Sequence, residues 1–235
     1  MQPDFSLDGV RAFNCDCMEF MKDIPDNFYE LAIVDPPYGI GINKGGHTLA
    51  GNGNFKGGNF KVPARKYSGG EWDNFSPDKE YFVELIRISK NQIIWGANHF
   101  ISKMPFDSSG WIVWDKDNGG SYQADCELAY TSFNKAVRKF RFRWWGLLQE
   151  NMVEKEKRIH PTQKPVEIYK MVLRKYAKKG DKIFDSHGGS MSIAIACLEM
   201  GYSLDICELD NEYFEAAKKR VFNSSPVFNF MKGDK

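Results

Sequence analysis

Short apolar runs alternate with segments of helical period along most of the chain. Tyr29–Val34 is nearly continuous in apolar residues, as expected of a buried strand. Asp78–Lys90 places Tyr81, Phe82, Leu85, Ile86 and Ile88 at the spacing of an amphipathic helix. Gln92–Trp95, Trp111–Trp114 and Glu127–Phe133 are rich in β-branched and aromatic residues and are expected as strands. Beyond Pro165, Val166–Lys178 reads as a helix stopped at Gly180. A strand at Lys182–Asp185, a Gly-rich turn, a helix at Ser192–Met200, a strand at Ser203–Glu208 and a helix at Asn211–Phe222 follow. This closing β–turn–α–β–α order is half of a doubly wound α/β sheet, whose ligands sit at the carboxyl ends of the strands.

Composition narrows the picture. A chain of 235 residues fits one domain, 1–235, large enough to bury a core without cross-links. Lys and Arg number 32 against 31 Asp and Glu, so any nucleic-acid surface must be local rather than a uniform basic coat. No apolar run is long enough to span a bilayer, which implies no membrane partner. The five cysteines form no C-x-x-C pair, so no metal is expected and a reducing, cytoplasmic setting is.

Two stretches concentrate positive charge. Residues 40–70 are rich in Gly and Asn, lack any acid, and carry Lys44, Lys56, Lys61, Arg65 and Lys66. Glycine at that density resists helix and strand, which predicts a mobile basic loop: either a phosphate-seeking arm or a solvated insertion. In Phe133–Trp145, Arg138, Lys139, Arg141 and Arg143 alternate with Phe140, Phe142 and Trp144 without an acidic residue between them. Strand alternation turns the basic residues to one face and the aromatics to the other. Either a DNA-contacting strand or a charge-protected edge strand fits this pattern.

Chemistry concentrates at two further points. Asp35-Pro36-Pro37-Tyr38 follows the first buried strand. The two prolines donate no amide hydrogen, so their carbonyls join the Asp35 carboxylate as acceptors, a set suited to a substrate NH2 group. Tyr38 adds a flat face on which a ring could stack. Phe184-Asp185-Ser186-His187-Gly188-Gly189-Ser190 lies between strand and helix, with Glu208 at the end of the next strand. Glycines there let a ligand approach the backbone, and an acid at that spacing can hold ribose hydroxyls. A turn opening a helix, with a surface Glu, would read the same.

Taken together, these motifs resemble the S-adenosylmethionine-dependent DNA amino-methyltransferases, in the phage-like branch whose catalytic tetrapeptide precedes the cofactor loop. The resemblance runs through Asn14-Cys15-Asp16-Cys17, Asp35-Pro36-Pro37-Tyr38, Glu71-Trp72-Asp73, His160-Pro161-Thr162-Gln163-Lys164-Pro165, Phe184–Ser190 and Glu208-Leu209-Asp210. It implies a Rossmann-like class I methyltransferase sheet with helices on both faces and a small target-recognition region at 115–159. It assigns Asp35, Pro36, Pro37 and Tyr38 to catalysis. S-adenosylmethionine would meet Asp16, Cys17, Asp35, Thr162, Lys164, Phe184, Asp185, His187, Gly188, Gly189, Ser190, Glu208 and Leu209.

The implied activity is methylation of the adenine N6 amino group in double-stranded DNA, by base flipping and direct in-line transfer. Cytosine-N4 methylation is the alternative of the same chemistry, and a DNA-binding relative with impaired catalysis the alternative of another class. The resemblance also raises a homodimer and a cognate restriction endonuclease as partners. One departure stands out: Met191 replaces the glycine that usually ends the loop. If that position needs a positive φ, its side chain is expected to weaken cofactor binding.

Overall fold

A computed structural model describes residues 1–41, 53–55, 58–60, 73–104, 107–119, 124–145 and 148–225. Its strands, in chain order, are β1 (Phe5–Leu7), β2 (Val10–Phe13), β3 (Leu31–Val34), β4 (Gly53–Phe55), β5 (Gly58–Phe60), β6 (Gln92–Trp95), β7 (Trp111–Asp115), β8 (Cys126–Thr131), β9 (Arg138–Arg141), β10 (Trp144–Trp145), β11 (Leu148–Gln149), β12 (Lys182–Asp185) and β13 (Ser203–Cys207). The α-helices are α1 (Cys17–Lys22), α2 (Lys79–Ile88), α3 (Val166–Tyr176), α4 (Ser192–Met200) and α5 (Asn211–Ser224).

Nine strands form one sheet in the order β1-β2-β13-β12-β3-β6-β8-β7-β9. From β2 to β6 every neighbouring pair is parallel. β1 and β8 pair antiparallel with β2 and β6, β7 is antiparallel to β8, and β9 returns parallel to β7. The two-residue period of the strands divides their side chains between two cores. Leu31, Ile33, Ile183 and Ile206 pack with Val172, Leu173, Ile195 and Phe214 of α3, α4 and α5. Ala32, Val34, Phe184 and Cys207 face the other way, onto Phe20, Phe82 and Leu85 of α1 and α2. Helices therefore cover both faces, as expected of the class I methyltransferase fold.

The sheet order sets the position of the site. β3 and β12 are neighbours at the centre, yet the chain leaves β3 for β6 and leaves β12 for β13, in opposite directions. A crevice opens between connections that diverge in this way, at the carboxyl ends of the two strands. Asp35–Tyr38 and Asp185–Ser190 begin there, side by side.

Residues 115–159, expected as a target-recognition region, contribute β8 and β9 to the main sheet. Some expectations need adjusting. The basic-aromatic run divides into β9 and β10, and β10 pairs with β11 in a separate hairpin. Within 40–70, where glycine density argues against any strand, β4 and β5 pair antiparallel. The cationic positions Lys44, Lys56, Lys61, Arg65 and Lys66 lie outside the described residues.

Met191 does adopt a positive φ, of 52°, just before α4. Its side chain is fully buried in the core beneath α3 and α4 and does not line the crevice. The steric objection to a ligand in the turn therefore falls away. Met191→Gly would relieve a left-handed backbone cost of about 1–2 kcal/mol. It would also empty a buried site, and deleting a core Met side chain costs about 2–5 kcal/mol. The cavity outweighs the strain, so the glycine variant is expected to unfold at lower urea concentration than the parent. An equal or higher midpoint would mean that the thioether contributes no packing.

Candidate active site

The loop after β3 is held from several sides. Gly39 N–H donates to Asp73 Oδ1 at 2.9 Å, and Gly41 N–H donates to the Asp73 carbonyl at 3.1 Å. Tyr38 lies over the turn that ends β6, where Gly96 has a φ of 67° and a Cβ would fall 2.1 Å from the tyrosine ring. Only glycine fits there. The Tyr38 ring stacks on His99, with centroids 4.9 Å apart and planes 15° apart. The face that the sequence offers to an incoming ring is thus engaged by a histidine that the sequence gives no reason to single out.

At the mouth of β3, Tyr38 donates its hydroxyl hydrogen to Asp35 Oδ1 at 2.9 Å, and Lys164 donates to Asp35 Oδ2 at 2.6 Å. Lys164 also reaches the Tyr38 hydroxyl at 3.1 Å and lies 3.1 Å from Glu127 Oε2. Burial and the nearby Asp35 push the Tyr38 phenol well above its ordinary range, so it stays a donor. Burial alone would lower the lysine, but Asp35 and Glu127 outweigh it and keep the ammonium charged. Burial raises the Asp35 carboxyl, with Lys164 opposing. Burial works against Glu127 too, yet Lys164 and Lys116 prevail and hold it at about 2.

The turn after β12 forms the facing wall. Gly188 N–H donates to the Cys207 carbonyl at 2.7 Å, and a Cβ on Gly188 would stand 3.2 Å from that oxygen and from Ile206. Glu208 accepts from Gly189 N–H at 2.6 Å and from Asp210 N–H at 2.8 Å. Tyr81, Ser186 and His187 form a hydrogen-bonded row, with steps of 2.6 and 2.8 Å. Burial lowers the His187 imidazole to about 4, so it is neutral at pH 7. Asp16 caps α1, accepting from Met18 N–H at 2.7 Å.

These walls enclose a cleft of about 660 Å³, within the range of small-molecule sites. Asp16, Cys17, Asp35, Pro36, Pro37, Tyr38, Thr162, Lys164, His187, Gly188, Gly189, Ser190, Glu208 and Leu209 all line it. Phe184 and Asp185 do not. Phe184 stacks between Phe20 and Tyr29 in the core, because its place in β12 turns it toward α1. Asp185 is 1% exposed and accepts from His187 N–H at 3.1 Å, bracing the turn from behind. Sequence reasoning missed Tyr81, Tyr169 and Phe75, which also border the cleft, and Glu127 behind it. The apolar stripe of α2 hid Tyr81, and nothing in the local sequence distinguishes Glu127.

The stripe of basic residues has partners that the sequence does not reveal. Lys139 pairs with Asp115 at 3.2 Å. Arg141 and Arg143 both pair with Asp117, at 2.6 and 2.5 Å, and Arg141 also reaches Glu150 at 3.3 Å. Phe140 and Phe142 turn inward against the core, as strand alternation requires.

No helix among the described residues is long and apolar enough to cross a membrane, and no three His, Cys, Asp or Glu side chains among them converge as a metal site.

Residues 120–219 match the DNA methylase family model that covers N6 and N4 enzymes. The chain is 25% identical over 252 residues to the type II methyltransferase M.HpaI of Haemophilus parainfluenzae, covering 90% of this chain and 74% of that one. In fold it is similar to the crystal structure of the M1.HpyAVI–SAM complex, with a TM-score of 0.54 and 20% identity over 90% of this chain and 99% of that one. It is also similar to PvuII DNA methyltransferase, described as cytosine-N4-specific, with a TM-score of 0.59 and 10% identity over 95% and 93% of the two chains. Residues 120–219 thus resemble the DNA methylase family, and the chain along most of its length is similar to type II methyltransferases.

Proposed function

We propose that this protein methylates the N6 amino group of adenine in duplex DNA at a specific site, using S-adenosylmethionine. One observation carries the reading: a pair of acceptors, Asp35 and the Pro36 carbonyl, shares one cleft with a glycine-lined turn closed by a ribose-spaced acid, Glu208.

The residues present fit the cofactor. Gly188 and Gly189 line the cleft without side chains, Glu208 and Asp16 offer carboxylates at its wall, and Asp35 supplies negative charge beside a cationic group. When bound there, S-adenosylmethionine supplies an electrophilic methyl group on a sulfonium. Glu208 would hold its ribose, Asp16 and Cys17 would border its adenine, and Ser190, Thr162 and Lys164 would border its methionine end.

The chain's own residues do the rest by position and charge. An exocyclic amine is a poor nucleophile because its lone pair is delocalised into the ring. Asp35 and the Pro36 carbonyl together accept both N–H hydrogens, which draws the nitrogen toward tetrahedral geometry and frees the lone pair. One of those protons must leave the nitrogen once it is alkylated. Asp35, made more basic by burial, is placed to take it before water does. A base inside a duplex cannot reach this corner, so it must be extruded, and the Tyr38–His99 pair forms the aromatic wall beside it. Lys139, Arg141 and Arg143 supply the phosphate-facing surface in this reading, whereas Arg138 shares its face of β9 with Phe140 and acts on Tyr176 of α3. An aspartate at the head of the tetrapeptide favours adenine over cytosine.

Expression in a host lacking adenine methylation, followed by modification-aware sequencing of its DNA, tests activity, base and target site together. N6-methyladenine in one sequence context is the expected result. N4-methylcytosine would replace the adenine assignment, and unmodified DNA would overturn the reading.

A further inference from the structure

Lys164 has two anionic neighbours. Its buried ammonium lies 2.6 Å from Asp35 and 3.1 Å from Glu127, whose other oxygen is 2.5 Å from Lys116. The Trp95 and Tyr38 rings flank the same ammonium at 5.3 and 5.6 Å. Four charges of alternating sign thus run inward from the corner of the cleft: Asp35, Lys164, Glu127, Lys116. Glu127 comes from β8 and Lys116 follows β7, and neither lines the cleft. A direct role at the reacting atoms is therefore closed to both.

We propose that Glu127 is a positioning residue for methyl transfer: by sharing Lys164 with Asp35 it keeps the Asp35 carboxylate a strong acceptor for the target amine, and Lys116 sets how much of Glu127 is available for that sharing. The inference rests on the methyl-transfer reading above.

Both Asp35 oxygens already accept one hydrogen bond, from Tyr38 and from Lys164. A carboxylate has about four acceptor sites, so room remains for an amine. What varies is acceptor strength, which falls as a cation draws more of the charge. In a water-poor surrounding that balance is felt strongly. The groups facing Asp35 are Lys164 from the loop before α3, Tyr38 of its own loop, Glu127 from β8, Tyr169 from α3 and Asp185 from β12. Lys164 is the cation among them, so whatever competes for Lys164 governs Asp35. Without Glu127 the full lysine charge falls on Asp35. Without Lys116, Glu127 draws harder on Lys164 and releases Asp35. The two removals act with opposite sign, which loss of packing cannot imitate.

The experiment uses the full chain with S-adenosylmethionine and a duplex carrying its target site. Carbon-13 NMR of the Asp35 carboxylate in the cofactor-free protein supplies a readout independent of turnover. Glu127→Gln is expected to lower kcat about tenfold or more. Cofactor and duplex affinities should stay within about threefold, and Asp35 should titrate at lower pH than in the parent. Lys116→Met should move that titration to higher pH, with no parallel fall in kcat. Glu127→Asp should recover most of the turnover. Parental kcat in Glu127→Gln would overturn the proposal, as would cofactor affinity falling together with kcat, or the same direction of titration shift in both variants. Should Glu127→Gln fail to fold, Lys116→Met and Glu127→Asp decide the question by the same criteria. A parent protein that alkylates no DNA amine, while Asp35 still shifts in opposite directions, would overturn the methyl-transfer reading alone.

Discussion

Asp35→Ala is expected to lower the rate of methyl transfer about a hundredfold or more while leaving cofactor and duplex binding measurable. In the proposed mechanism the carboxylate is one of two acceptors for the amine, and the Pro36 carbonyl alone would not hold both hydrogens. Truncation would ordinarily strand a buried cation, which costs about 3–5 kcal/mol when no partner remains. Here Lys164 keeps Glu127 at 3.1 Å, so the loss of stability should fall below that range. Single-turnover methylation beside a urea titration separates the two effects. Turnover near the parental rate would remove Asp35 from the reaction.

Lys164→Met is expected to have the opposite profile, with the larger effect on stability. It leaves Asp35 and Glu127 in the same buried neighbourhood with Lys116 as the cation still touching Glu127, and breaking such a network costs about 3–5 kcal/mol at neutral pH. The pH dependence has a definite sign. In the parent, Glu127 is held at about 2, below its ordinary 4.5. Its contribution is therefore present above pH 4.5 and lost as the pH falls toward 2. In the variant that contribution shrinks, and Asp35, already raised by burial, rises further because its counter-charge is gone. Protonation then relieves the variant as the medium is acidified. Urea midpoints at pH 7 and near pH 4.5 should show a deficit that narrows in acid. A deficit equal at both values would mean that the ammonium does not offset these carboxylates.

The parallel core of the sheet was legible because its strands are unbroken apolar runs and its helices have clear stripes and stops. β3, α3, β12, α4, β13 and α5 fall within a few residues of their expected bounds. The first hairpin was not read, although its signal is present: Asp8-Gly9, both at positive φ, joins β1 to β2 in the two-residue turn that this dipeptide favours. α1 has only six residues, too few for a periodic pattern to emerge. Most residues of the cleft could be named from motifs because a Gly-rich turn or a diproline carries its function in its backbone. Phe184 was misplaced because a motif gives sequence order, whereas strand alternation decides which side a residue faces. Glu127, His99 and Asp117 were invisible for a different reason. Their importance comes from partners distant in sequence, and only strand pairing brings them together.

Asp117 sits between Arg141 and Arg143 where a nucleic-acid phosphate would have to go. Any polyanion approaching that strand must first evict a carboxylate, so each contact exchanges one anion for another. Fewer bound salt ions are set free per arginine than for bare cations, and the usual entropic reward for loose electrostatic adhesion is correspondingly small. If that strand meets nucleic acid as proposed, such a surface would discriminate against diffuse negative charge and favour a partner whose backbone oxygens match the spacing of the acids they displace.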